Sequence, residues 1–276
     1  MQRARSVRTR DGCQGRGGQT GHNIRDVSDS LSATTVFLTG ADGAEVEAYL
    51  ARPDGQQTRG GVVVIHHLPG YDRATKEMVR RFAELGYDAL CPNLYSREAP
   101  GAEPSDAAAM VRAKGGVPDA RLVEDVGAAA AYLRALPSSN GSVGVIGHCS
   151  GGRQAVLAAC QLDLDAAVDC YGAFVTGEPP PDHPLQVSNL VDQLPSLAAP
   201  LLGLFGKEDK TPSPDHVAEL DRRLTDLGKA HEFHSYDDAG HAFFAVDRPS
   251  YRVAAANDGW PRIATFFATH LSGRES

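Results

Sequence analysis

Over 143–152 the chain reads V-G-V-I-G-H-C-S-G-G, which sets Cys149 at the centre of a Gly-x-nucleophile-x-Gly spacing. Such a spacing suits an activated nucleophile on a sharp, strained turn between a strand and a helix, where flanking side chains would collide with both elements. Gly147, Gly151 and Gly152 meet that steric need. Residues 143–146 predict a short buried strand, and residues 151–161 the helix behind it. At a helix N-terminus, unpaired N–H groups and the macrodipole favour an anion, so a Cys149 thiolate should form more readily than that of an ordinary cysteine. A buried structural cysteine in a Gly-rich turn is the competing reading.

A thiol nucleophile needs a base, and the base needs an orienting acid. The apolar run 201–205 ends in Gly206-Lys207-Glu208-Asp209-Lys210, which places an acid just past the C-terminal end of a strand. Asp209 is the candidate acid, with Glu208 one residue away as its rival. Farther on, 233–236 predicts another strand, and the small-residue loop Asp237-Asp238-Ala239-Gly240-His241 carries the candidate base. Of the ten histidines, only His241 follows a strand, a glycine and the acid in the order nucleophile, acid, base. An oxyanion at Cys149 would be met by the N–H of Ser150 and by a second N–H from the loop after the strand 62–65. Leu68 is the candidate there, because Pro69 cannot donate.

These loops need a rigid frame. The chain has 276 residues and is 42% hydrophobic, enough for one large core. Helices are predicted over 75–85, 120–136, 151–161, 214–227 and 254–270, alternating with apolar strand-length runs. That alternation predicts an α/β fold, a mostly parallel central sheet flanked by helices, with the site at the strands' C-terminal ends. Residues 33–273 are expected to form this single domain.

The residues at Gly61 to Gly70, Gly86 to Tyr95, the Cys149 turn, the Asp209 loop and Ala239-Gly240-His241 together resemble the dienelactone hydrolases (carboxymethylenebutenolidases). The resemblance implies an α/β-hydrolase fold, no cofactor, and a Cys149-Asp209-His241 triad acting on small-molecule esters or lactones. The cysteine in place of serine is its specific part. Two departures bear on substrate. The family carries a glutamate where this chain has His67, whose imidazole could pair with the thiolate or point at a substrate carbonyl or carboxylate. The family also holds a substrate carboxylate with two arginines, and Arg97 matches the first, whereas the second falls at Ala245 with Arg248 three residues on. Tyr95, beside Arg97, and Phe243, beside His241, are expected in the substrate pocket with them.

Other readings are weaker. Adjacent His66 and His67 point to opposite faces if extended, so no metal site is expected. Residues 1–32 carry six arginines against three aspartates in a chain of net charge −8, and read as a disordered basic leader or upstream start rather than a nucleic-acid arm. They lack the apolar stretch of a secretory signal, and no run approaches the roughly 20 apolar residues of a membrane span. Five cysteines, one of them needed as a thiol, point to the reducing cytoplasm. The Pro/Gly-rich segment 174–194 leaves the active-site edge as either a lid or an insertion without a role. The expectation is an ester or lactone hydrolase working through an acyl-thioester. A broad-specificity esterase or thioesterase is the alternative within that class, and a redox-sensing thiol on a hydrolase scaffold is the alternative outside it.

Overall fold

A computed structural model describes residues 31–68 and 70–273. In chain order the strands are β1 (Leu31–Thr39), β2 (Glu45–Pro53), β3 (Arg59–Ile65), β4 (Asp88–Pro92), β5 (Ser139–His148), β6 (Ala166–Cys170), β7 (Leu201–Gly206) and β8 (His231–Tyr236). The helices are α1 (Arg73–Glu84), α2 (Pro104–Ala113), α3 (Asp119–Arg134), α4 (Ser150–Gln161), α5 (Pro214–Asp226) and α6 (Val253–His270). The strands form one sheet in the order β1-β2-β4-β3-β5-β6-β7-β8, antiparallel at β1–β2 and β2–β4 and parallel elsewhere. The mostly parallel sheet expected from the sequence is thus present, with a β1–β2 antiparallel edge that the apolar pattern did not announce. Strand β1 already includes Leu31 and Ser32, so the domain begins before residue 33. The rest of the arginine-rich segment, 1–30, lies outside the described residues.

Strands β3, β4, β6 and β7 are buried at every position, as expected when helices cover both faces. The period of two sorts their side chains. Val63, Ile65, Val143 and Val145 pack with Leu122 and Val126 of α3 and Val156 of α4. On the opposite face Val62, Val64, Ile146 and Leu204 pack with Phe82 of α1 and Phe267 of α6. Chain order reverses across β4-β3-β5, which opens a crevice beyond the C-terminal ends of β3 and β5. Leu68 and Cys149 follow those two strands.

The opposite, N-terminal edge of the sheet is tied by Asp88, which is 1% exposed. It accepts from Arg52 Nε at 3.1 Å and from the Ser138 hydroxyl, with Arg59 at 3.9 Å. Removing that carboxylate leaves two guanidinium groups short of a partner. Asp88→Ala is expected to lose about 3–5 kcal/mol of stability in urea unfolding, while the molecules still folded keep their turnover, because Asp88 sits at the far end of the strands from Cys149.

Candidate active site

Strand β5 ends at His148, and the next residue turns sharply into α4. Cys149 has φ 56° and ψ −123°, a conformation that is strained for a residue with a Cβ. Its N–H donates to Cys170 O at 3.0 Å, and its C=O accepts from Gly152 N at 3.0 Å, so both sides of the turn are held. A Cβ at Gly147 would lie 1.9 Å from Gly151 O, one at Gly151 2.6 Å from Ile65 O, and one at Gly152 2.2 Å from Asp169 Oδ1. Each glycine therefore clears a specific backbone or side-chain atom, which is the steric reason for the spacing read in the sequence. Asp169, buried in β6, accepts from Gly172 N at 2.7 Å, and burial pushes its carboxyl up to about 7.

Asp209 lies three residues past the end of β7 and His241 five past the end of β8. His241 Nδ1 and Asp209 Oδ2 are 2.8 Å apart, and Asp209 Oδ1 accepts from Thr211 N at 2.9 Å. The acid is thereby fixed at both oxygens while buried, whereas Glu208 is exposed and makes no bond to the imidazole. Burial opposes a positive charge on His241, but hydrogen bonds to Asp209 and to Cys149, with the charges of both, outweigh it and raise the imidazole to about 10. The ring is held against the edge of Tyr171 at 5.2 Å between centroids. Tyr171 follows β6 at φ 47° and was not singled out from sequence. Its one signal is the Tyr-Gly pair at a strand end.

Leu68 and Ser150 line the cavity that opens at Cys149, and among the described residues no hydrogen bond occupies either N–H. Tyr95 also lines it. The other expected pocket residues are placed differently. Arg97 gives Nη1 and Nη2 to Asp125 at 2.6 and 2.9 Å and Nη2 to Ala41 O, so it is committed to an ion pair and lies outside the cavity lining. Phe243 is fully buried among Tyr171, Tyr236 and Phe244 and supports the His241 loop from beneath instead of meeting substrate. Burial lowers the pKa of His67, with Arg248 and His241 adding to the effect and Asp72 and Asp247 opposing it, which disfavours an imidazolium there. His66 is used apart from it, its Nε2 accepting from Leu94 N at 3.1 Å. The adjacent histidines therefore serve different neighbours.

Sequence reasoning marked the segment 174–194 at the active-site edge, as a lid or an insertion without a role, but singled out no wall residue from α2 or α3, and from α4 only Ser150. Val111 of α2, Asp119 of α3, Arg153 of α4, and Phe174, Leu185 and Val187 from the long segment after β6 all line the cavity. A larger cavity of about 500 Å³ lies beyond Tyr95 among charged residues including Lys76, Arg80 and Glu103, but Cys149, Asp209 and His241 do not line it.

The dienelactone hydrolase family model matches residues 46–271, which include Leu68, Cys149, Ser150, Asp209 and His241. The chain belongs to the dienelactone hydrolase family. It is 33% identical over 243 residues to a protein of Methylorubrum extorquens named "Putative carboxymethylenebutenolidase", covering 87% of this chain and 82% of that one. A protein of the same name from Escherichia coli is 34% identical over 244 residues, covering 86% of each. Among solved structures, a Klebsiella pneumoniae protein described as "Putative Dienelactone Hydrolase" superposes with TM-score 0.75 at 30% identity, over 87% of this chain and 99% of that one. The fold is accordingly that of the α/β-hydrolases, and the protein is a hydrolase of ester or lactone bonds. Among the described residues no helix is long and apolar enough to cross a membrane.

Two outcomes follow from the geometry. In NMR titration the His241 ring should hold its proton well above pH 7, and Cys149→Ala should lower its pKa, since one of the two groups that raise it is gone. Gly147→Ala should abolish activity and destabilise the protein markedly by thermal melting, because its Cβ would strike backbone, not a movable side chain.

Proposed function

We propose that this dienelactone hydrolase cleaves its ester or lactone through a covalent acyl-thioester on Cys149. The observation that carries the reading is the strained crest at Cys149, set beside an imidazole that is held on its other side by a buried aspartate. The thiolate attacks the carbonyl carbon and the C=O electrons move to oxygen, where the N–H groups of Leu68 and Ser150 are free to receive them. The intermediate collapses with cleavage of the C–O bond, and His241 gives its proton to the departing alkoxide, which leaves as an alcohol or, from a lactone, stays tethered. Acylation removes the thiolate charge, so one of the causes of the high imidazole pKa disappears. His241 then turns from acid into base, takes a proton from water, and the hydroxide adds to the thioester to release the carboxylic acid and return the thiol.

Asp209 fixes the Nδ1–H tautomer so that Nε2 faces the reaction. A redox-sensing thiol would have no use for two free oxyanion donors or a cavity at the thiol, which favours hydrolysis over that alternative. Cys149→Ala is expected to reduce ester turnover to background with the fold intact by circular dichroism. His241→Ala should lose several orders of magnitude in kcat, and Asp209→Asn fewer, because asparagine keeps the ring in place in the wrong tautomer. A chromogenic ester should give a stoichiometric burst followed by steady turnover. Acylation without a second turnover would contradict the hydrolase reading, and wild-type-like activity in Cys149→Ala would remove the nucleophile.

A further inference from the structure

The cavity at Cys149 is small, about 160 Å³, and its walls are mostly apolar: Leu68, Val111, Val117, Phe174, Leu185 and Val187. Among the described residues that line it, the one full ion pair is Arg153 with Asp119, each bound to the other; the other titratable groups are Tyr95, Cys149 and the His183 ring, which packs edge-on against Phe174 at 4.9 Å. Arg153 Nη1 and Nη2 donate to the two Asp119 oxygens at 2.9 and 2.7 Å, and its Nε and Nη2 donate to Ser188 O at 3.2 and 2.8 Å. These four bonds use four of the five N–H donors of a guanidinium that is 3% exposed. The Arg153–Asp119 pair therefore adds no net charge to the wall. Arg97 is tied to Asp125, and Arg248 is exposed and outside the lining, on the side of His67.

The same clasp fixes the wall. Ser188 belongs to the segment that follows β6, and Arg153 stands one helical turn after Cys149, so the nucleophile's own helix holds this segment across the cavity. Further bonds pin it: Gln186 N to Gly115 O at 2.7 Å, Leu190 N to Val175 O at 2.9 Å, and the Thr176 hydroxyl to His216 O at 2.8 Å. The segment is thus a tethered wall rather than a loop free to swing away.

A carboxylate drawn into this space would give up its water with no free arginine or lysine in the lining to replace it and with the Cys149 thiolate beside it, whereas a short alkyl group would gain apolar contact on several sides. We propose that the cavity is an acyl pocket for a short, uncharged, apolar acyl group, with its depth set by the wall that the Arg153–Asp119–Ser188 clasp holds in place. The inference deepens the hydrolase reading and rests on it. The leaving group is then directed to the His241 side, where the imidazole is partly exposed.

The test keeps one leaving group and varies the acyl part: para-nitrophenyl acetate, butyrate, valerate, octanoate and hemisuccinate. Valerate is expected to exceed hemisuccinate in kcat/KM by at least about tenfold, and butyrate to exceed octanoate. Leu185→Trp should lose butyrate while keeping most acetate turnover, and Leu185→Ala should gain on octanoate, with iodoacetamide labelling of Cys149 confirming in both variants that the thiol is in place. Hemisuccinate hydrolysed as well as valerate, or wall variants that scale every ester equally, would overturn the acyl-pocket inference alone. No turnover of any ester or lactone would instead fell the hydrolase reading, and this inference with it.

Discussion

The left-handed backbone at Cys149 is the constraint on which the rest of the structure depends. A side-chain-bearing residue persists there only because its surroundings leave no relaxed alternative. The surroundings are close: the carbonyl of Ile65 from β3, the carboxylate of Asp169 from β6, and the first turn of α4 occupy the space that Cβ atoms at positions 151, 152 and 147 would need. Three strands and a helix are thus brought together at glycine contact distance, and the thiol is what they lift to the end of the sheet. The parallel strands place Leu68 beside it, because β3 and β5 run together in register from Gly61–Val143 to Ile65–Gly147.

Electrostatics complete the site by a division of labour among its charged groups. The body of the protein pairs its arginines with buried or half-buried acids: Arg97 with the buried Asp125, Arg153 with the half-buried Asp119, and Arg52 and Arg59 with the buried Asp88. What stays available for chemistry is the imidazole of His241, with Asp209 on one side and Cys149 on the other. Because both raise its pKa, the ring's proton affinity falls when the charge on either is lost. In the proposed two-step hydrolysis one histidine therefore serves both halves without moving.

The candidate nucleophile, acid and base stood out in the sequence because each rests on a local signal: an apolar run that ends, a small-residue turn, and the order of three residue types; the structure sets Asp209 2.8 Å from His241. The same signals gave β5, β7 and β8 and most helix positions to within a few residues. The edge strand β1 was not legible, since it is largely exposed and held to β2 by backbone pairing, so the alternation that marks a half-buried strand is missing. Helix α2 is rich in alanine and carries little apolar stripe, although it supplies Val111 to the cavity. For Arg97 and Phe243 the motif gave the position but not the direction. Which way Arg97 turns is decided by Asp125, 28 residues away on α3, and Phe243 turns inward because Tyr171 and Tyr236 offer it an aromatic core. Pairings across that distance leave no trace in local pattern. The wall after β6 is irregular, so only its Pro/Gly content and length could mark it.

The central claim, that Cys149 carries the acyl group, is tested most directly by mass spectrometry of enzyme acid-quenched during steady turnover of an activated ester. The account predicts a mass increase of one acyl group confined to the peptide that contains Cys149, appearing within the first turnover and disappearing as substrate is exhausted. An enzyme that turns over at full rate with no such adduct, or with the acyl group on another residue, would contradict it.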